Sequence, residues 1–298
     1  MAQLDNRVGR RLVAGIPLLW LLLFFFIPFI IVFKISFSEV RLAMPPYAPL
    51  FQWVHGLPMP KLHLTNYAFL FTDPLYIDSY LYSLKVAAVS TLCCLLIGYP
   101  MAYAIAHTSA TWRNVLLMMI VLPFWTSFLL RVYAWIGLLK NNGVINNVLM
   151  YLGIIHEPLT LLQSDFAVYI GIVYSYLPFM ILPLYANLEK HDNTLLEAAA
   201  DLGAGPVTAF FRITLPQSVA GIIAGSLLVF IPAVGEYVVP SLLGRTDQLM
   251  IGRVLSDEFF ENRDWPVASS VAILVLLVLV IPIMLFQYFQ RRELEAQK

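Results

Sequence analysis

Two charged side chains stand well inside long apolar stretches of this 298-residue sequence: Arg131 and Glu236. A charge in hydrocarbon costs about 2.5 to 3.5 kcal/mol on insertion scales, so such residues are candidates for function. Glu236 can be the counter-charge for a cationic solute in a translocation path, or it can form a structural ion pair with Arg131. For Arg131, that pair or extension to the outer interface is favoured over a place in the path. A route for a cation is the first chemistry that the sequence suggests.

Helix-breaking residues surround Glu236. The stretch FIPAVGEYVVP places Pro232, Gly235 and Pro240 within nine residues, and a broken helix is tolerated in a membrane where it lines a cavity. Similar bends are predicted at Pro100, Pro123, Pro178 and Pro183. Aromatic rings near such bends can hold an organic ammonium group at about 0.5 to 2 kcal/mol per contact, with packing as the alternative role of each ring. The candidate rings are Trp125, Tyr174, Tyr176 and Tyr237.

Other site chemistry is missing from the sequence. No G-x-x-x-x-G-K-[ST] loop is present to cradle nucleotide phosphates, and neither H-E-x-x-H nor G-x-S-x-G occurs. Cys93 and Cys94 are adjacent in an apolar run, a spacing that suits small core residues rather than a metal site. We therefore expect a chain that is not an enzyme by itself and that binds no metal or cofactor.

The composition requires a membrane. With 60% hydrophobic and 12% charged residues and a mean hydropathy of +0.79, the chain cannot cover its apolar surface with polar side chains. The formal net charge is zero, so nothing in the sequence suggests a nucleic-acid partner. A helix of about 20 apolar residues satisfies its own backbone in lipid. The sequence thus predicts an all-α integral membrane protein.

Six membrane spans are predicted within a single membrane domain, residues 1–298. They cover about 12–33, 86–106, 115–139, 166–188, 219–243 and 267–289. The first span follows basic residues as a signal peptide does, but its apolar core is too long and no small-residue cleavage site follows, so we expect it to be retained. Lys and Arg are denser on the side of the termini, which predicts that both termini are cytoplasmic. The outer segment 34–85 is expected to form short helices on the outer rim.

The loop 189–218, on the same side as the termini, contains the unusual segment LLEAAADLGAGPVTAFFRITLP. Thr194 and Glu197 have the spacing of a capping box, and Gly203 is expected to end a helix too short to span. Pro206 then suits the start of a second short helix. Two small helices that project from the bilayer suit docking into a groove on a partner. The alternative is an amphipathic hairpin that lies among lipid headgroups.

This segment resembles the E-A-A-x3-G-x9-I-x-L-P signature of permease subunits in binding-protein-dependent ABC importers, with every spacing kept. The matching residues are Glu197, Ala198, Ala199, Gly203, Ile213, Leu215 and Pro216. The resemblance implies a type I ABC importer permease fold in which this segment is the coupling helix. It also implies that the segment sits in a cleft of a separate ATPase subunit, which binds the ATP and Mg.

Several further stretches look like those of polyamine importer permeases, of the putrescine and spermidine type and above all the putrescine type. They are LLIGYPMAYAIAH, LPFWTSFLLRVYAWIGLLKNNGVINN, FIPAVGEYVVPSLLG and MIGRVLSDEFFENRDWPVASSVAI. The likeness implies import from periplasm to cytoplasm across a bacterial inner membrane. The implied partners are a second homologous permease, two ATPase subunits and a periplasmic solute-binding protein. By the same resemblance, four acidic residues contact the binding protein: Asp257, Glu258, Glu261 and Asp264.

Two alternatives stay open. The chain can be an ABC importer permease for another small solute, such as an amino acid, an anion or a metal ion. For an anion, Arg131 would be expected to point into the path. A secondary transporter is less favoured, because it needs its own coupling site and several intramembrane ionisable groups.

Overall fold

A computed structural model describes residues 6–54, 57–192 and 194–296. The N-terminal part contains α1 (Asn6–Leu21) and α2 (Ile27–Ser36), joined by a π-helical turn at Leu22–Phe26. Two short antiparallel strands follow, β1 (Phe51–Val54) and β2 (Leu57–Pro60), and then α3 (Thr65–Thr72). The outer segment therefore holds a small hairpin as well as the expected short helix.

The central part begins with the long helix α4 (Pro74–Ala106). It continues through α5 (Ala110–Val121), a 3-10 turn (Leu122–Trp125), α6 (Phe128–Leu139), α7 (Val144–Tyr151) and α8 (Asp165–Leu188). Proline bends the chain at only some of the predicted places. Helices α4 and α8 run uninterrupted past Pro100, Pro178 and Pro183, whereas Pro123 lies in the 3-10 turn.

The C-terminal part starts with the short elements α9 (Thr194–Asp201), α10 (Pro206–Ala209), a π turn (Phe210–Thr214) and α11 (Leu215–Gln217). These lead into α12 (Val219–Val234), α13 (Val238–Leu243), α14 (Ile251–Phe260) and α15 (Trp265–Ala296).

Four helices of the described chain are long and apolar enough to cross a membrane: Val13–Ser36, Pro74–Ala106, Asp165–Leu188 and Trp265–Met284. Two bent pairs raise the number to six if each is one span. Ala110–Trp125 and Phe128–Tyr151 meet at 90°, and Pro206–Gln217 and Val219–Val234 meet at 62°. The predicted third span, 115–139, thus turns sharply after Trp125. The predicted fifth span, 219–243, is interrupted after Val234.

The chain forms two compact units. One comprises Met1–Ile77 with Leu255–Val278. In it, Ser36 anchors the end of the first membrane helix: its carbonyl accepts hydrogen bonds from Asn66 Nδ2 at 2.9 Å and from Ser270 Oγ at 3.1 Å, and its hydroxyl accepts one from Tyr67 at 2.8 Å. The last carbonyls of a helix have no partner within the helix, so these bonds supply partners for the Ser36 carbonyl where α2 ends.

The other unit comprises Asp78–Val254 with Leu279–Lys298. Its core is built where α4, α8 and α12 meet, around the buried residues Cys94, Tyr99, Met180, Leu184 and Val229. Cys94 is therefore a core residue, as its position in an apolar run predicts. This unit holds both the Glu236 break and the 195–216 segment.

Candidate functional site

Glu236 lies in the break between α12 and α13, with 7% of its surface exposed. Its Oε1 accepts hydrogen bonds from the backbone N–H groups of Val238 at 3.0 Å and Val239 at 3.3 Å. Its Oε2 accepts one from the Tyr176 hydroxyl. The first N–H groups of a helix have no partner inside the helix and favour a negative charge. The carboxylate therefore caps α13 and is held by three neutral donors.

Arg131 does not neutralise this carboxylate. Its guanidinium carbon lies 5.5 Å from the centre of the Phe124 ring and 5.6 Å from that of Phe128, and its Nε has no hydrogen-bond partner. The residues that the structure describes include no ion pair between Arg131 and Glu236. The structural ion pair considered from the sequence is thus absent, and the arginine is held by cation–π contacts instead.

A series of aromatic rings connects these two charges. Tyr176, which bonds Glu236, lies 6.0 Å from Phe179 between ring centres, and Phe179 lies 5.2 Å edge-on from Phe124. Phe124 in turn carries the Arg131 guanidinium. Sequence reasoning identified Tyr176 but missed Phe124 and Phe179. The signal was available, because Phe124 stands inside the LPFW bend and Phe179 follows Tyr176 by three residues on one helix face.

The other predicted rings lie elsewhere. Tyr174 packs edge-on against Trp135 at 5.6 Å and lines an apolar groove of about 420 Å³ together with Leu177 and Pro178. Trp125 is 81% exposed on the 3-10 turn, and Tyr237 is exposed beside the break. Of the four candidate rings, only Tyr176 bonds the Glu236 carboxylate in the described chain.

The 195–216 segment has the two-helix form that its sequence predicts, with a different cap. Asp192 Oδ1 accepts a hydrogen bond from the Thr194 N–H at 2.9 Å, and this bond lowers the pKa of Asp192. Asp192, rather than Thr194, therefore satisfies the start of α9, so the predicted capping box with Glu197 is wrong. Asp and Thr are both good caps, and the side chain two residues earlier reaches the free N–H.

Gly203 ends α9 as predicted. Its φ is +80°, in the left-handed region that glycine adopts without strain. The Gly203 N–H bonds the Ala200 carbonyl, and the Ala204 N–H bonds the Ala199 carbonyl, each at 2.9 Å. This pair of bonds is a Schellman motif, which satisfies the last carbonyls and reverses the chain.

The second half of the segment is anchored on α4. The Tyr99 hydroxyl and Ser218 Oγ are 2.9 Å apart, and the Phe210 ring packs edge-on against Tyr99 at 5.6 Å. On the outside, Leu202 is 89% and Val207 70% exposed. Among the signature residues, Glu197, Ala198, Gly203 and Pro216 are exposed, and Ala199, Ile213 and Leu215 are half-buried. The 195–216 segment is thus fixed to α4 through Tyr99 and presents exposed apolar side chains on its outer side, as a docking element requires.

Two of the four acids expected to contact a binding protein are used inside their own unit. Glu258 Oε1 accepts from the Tyr76 hydroxyl at 2.8 Å, and its Oε2 accepts from Asn262 Nδ2 at 3.0 Å. Asp264 Oδ1 accepts from the Val267 N–H at 3.0 Å and so caps α15. Glu261 is exposed, and Asp257 is half-buried with interactions of its own. Glu261 is therefore the most accessible of the four.

Asp264 offers a pH-dependent test of its capping role. Burial, with a contribution from Glu258, raises its pKa. The folded chain therefore holds this proton more tightly than the unfolded chain, and stability decreases as pH rises from the ordinary aspartate range to the raised pKa. Asp264→Asn keeps a cap and should remove this pH dependence. Asp264→Ala should also remove it, and should be less stable than Asp264→Asn by about 1 kcal/mol at any pH because the cap is lost. Thermal unfolding measured over a pH series distinguishes them, and a pH dependence retained in Asp264→Asn contradicts the assignment.

The chain is similar to known transport proteins over almost its whole length. Residues 10–295 match the family described as "Binding-protein-dependent transport system inner membrane component". The spermidine/putrescine transport system permease protein PotB of Haemophilus influenzae is 40% identical over 293 residues, which cover 98% of this chain and 97% of that protein. PotB of Escherichia coli K12 is 38% identical over 285 residues, covering 94% and 96%. A chain of a bacterial alginate ABC transporter, solved in complex with an alginate pentasaccharide-bound periplasmic protein, superposes with a TM-score of 0.73 at 17% identity, covering 98% of both chains.

Proposed function

The chain belongs to the family of binding-protein-dependent transport system inner membrane components, and on that premise we propose that it is a pore-forming permease subunit that imports polyamine. It is a multi-pass inner-membrane protein with the type I ABC importer permease fold. The solute is putrescine, spermidine or both, moved from periplasm to cytoplasm. The names of its 38–40% identical relatives support this solute class.

The main support for a cationic solute is the hydrogen bonding and charge of the Glu236 carboxylate. A carboxylate offers about four acceptor positions, and three are occupied by the N–H groups of Val238 and Val239 and the hydroxyl of Tyr176. One position and the whole negative charge remain for an ammonium group. The rings of Tyr176, Phe179 and Phe124 extend from this point and suit the alkyl chain and further ammonium groups of a polyamine. Trp125, Tyr174, Tyr237 and Arg131 remain proposed members of the path.

We propose that other subunits of the complex supply the energy for solute transport. We infer two ATPase subunits, which bind ATP and Mg, a second homologous permease, and a periplasmic binding protein that delivers the solute. The segment 195–216 is the coupling helix and docks into the ATPase, with both termini in the cytoplasm. The absence of a phosphate-binding loop from the sequence and the anchored, exposed form of the segment support this division of labour. Asp257, Glu258, Glu261 and Asp264 form the proposed side facing the binding protein.

Reconstitution tests the proposal directly. The chain is purified with its partner subunits in nanodiscs, and ATP hydrolysis is measured as the periplasmic binding protein is added with spermidine, putrescine, an amino acid or molybdate. We expect stimulation only with a polyamine. Stimulation by the amino acid or by the anion instead would assign the chain to an importer of that solute, and transport without a nucleotide-hydrolysing partner would overturn the importer class.

A further inference from the structure

The start of α14 lies directly against the Glu236 break. An ideal Cβ on Gly252 would stand 2.8 Å from the Glu236 carbonyl oxygen and closer still to the Gly235 carbonyl oxygen. These distances are far below van der Waals contact, and both neighbours are backbone atoms that cannot rotate away. Only a residue without a side chain allows this approach.

The same turn of α14 is fixed from its other side. Ile251 is fully buried, and its N–H donates a 2.8 Å hydrogen bond to Ser83 Oγ, which is also fully buried. Ser83 belongs to α4, so α14 begins between a core helix and the break. The carbonyls of Gly235 and Glu236 therefore rest against an anchored surface rather than against mobile chain.

The position of the Glu236 carboxylate depends on this backbone. Its oxygens reach Tyr176 on one side and the N–H groups of Val238 and Val239 on the other, at distances that leave little room for displacement. A methyl group on residue 252 must push the Gly235–Glu236 peptide away, and the side chain moves with the peptide. Hydrogen bonds weaken steeply with distance and angle, so the whole donor set is sensitive to this one contact.

We propose that Gly252 is a positioning residue for the intramembrane carboxylate. By letting α14 pack on the Gly235 and Glu236 carbonyls, it holds Glu236 where three donors fix it and one acceptor position faces the solute. The consequence for import rests on the proposed function, whereas the positioning itself does not.

The test uses the complete complex in nanodiscs with two readouts. Hydrogen exchange followed by mass spectrometry reports on peptides that span 235–243, which contain the amides bonded to Glu236, and polyamine uptake reports on function. Gly252→Ala is expected to speed exchange in 235–243 by about ten-fold and to reduce uptake, while exchange across Asp165–Leu188 stays at the parent rate. A rise confined to the break distinguishes positioning from general destabilisation.

Two glycines supply matched controls. Gly137→Ala places a methyl in open space, and Gly221→Ala creates a contact of 2.8 Å with Asn187 Cβ, as tight as the Glu236 contact but away from the break. Neither should alter exchange in 235–243. Ser83→Ala loosens α14 without adding an atom, so it tests the idea if Gly252→Ala fails to assemble, with an expected rise of about three-fold.

The outcomes separate the two proposals. Unchanged exchange in 235–243 for Gly252→Ala, or for Ser83→Ala if the former does not assemble, overturns the positioning role, even if Glu236→Gln abolishes uptake. Faster exchange with parent-like uptake supports the positioning role and removes Glu236 from the solute path.

Discussion

Replacing Glu236 with Gln is expected to reduce polyamine uptake by the reconstituted complex by about ten-fold or more, since a loss of 1.4 kcal/mol in charge pairing corresponds to a factor of ten. Gln keeps the size of the side chain, and its amide oxygen can still accept a hydrogen bond from the Val238 or Val239 N–H. What disappears is the negative charge in a nearly buried position, where charge-assisted hydrogen bonds are about twice as strong as neutral ones.

Tyr176→Phe is the matched control for this experiment. It removes one donor to Glu236 but keeps the ring and the negative charge, and two backbone N–H groups still hold the carboxylate. We therefore expect a smaller loss of uptake than for Glu236→Gln, about two- to five-fold. Uptake is measured with radiolabelled putrescine and spermidine, and assembly is checked by co-purification of the subunits. If Glu236→Gln transports as well as the parent, the carboxylate is only the cap of α13.

Substituting Gly203 with Asp is expected to uncouple ATP hydrolysis from import. A residue with a side chain costs roughly 1 to 2 kcal/mol in the left-handed conformation, so the chain leaves the Schellman motif and α9 reorients. No atom lies within 4 Å of a Cβ at this position, so the effect arises from the backbone rather than from a clash. We expect stimulation of the ATPase by the loaded binding protein to fall by about ten-fold.

Gly205 provides the control, because it lies two residues further on, is also uncrowded and has an ordinary φ of −69°. Gly205→Ala should couple like the parent. Gly203→Asn should be intermediate, because Asn is found at this helix-end position when Gly is not, and unlike Asp it adds no negative charge at the C-terminal end of α9. Parent-like stimulation in Gly203→Asp would show that this turn does not transmit the motion.

Much of the site was predictable from short stretches. Glu236 was identified because an acid among Pro232, Gly235 and Pro240 combines a buried charge with a broken helix. Gly203 was identified because a glycine after an alanine-rich helix is the usual C-terminal stop. Both signals are local, since they depend on backbone propensities and on the cost of a charge in lipid.

The partners of these residues were not predictable in the same way. Tyr176 and Glu236 are 60 positions apart, and Ser83 and Ile251 are 168 apart. The bends predicted at Pro178 and Pro183 do not occur, and α8 runs uninterrupted through both residues. Glu258 and Asp264 looked like a free acidic surface in sequence, yet Tyr76 and the start of α15 use them.

The sequence alone determined the membrane class, the signature segment and some of the residues at which regular helix ends, such as Gly203 and the break at Gly235. These features were predictable because hydrophobicity, turn chemistry and the solvation of charge act over a few residues. Only the tertiary structure decided that Glu236 is held by neutral donors, that Arg131 rests on phenylalanine rings, and that Gly252 lies behind the break. Those facts depend on which helix faces meet, and packing between distant segments leaves little trace in any single stretch of sequence.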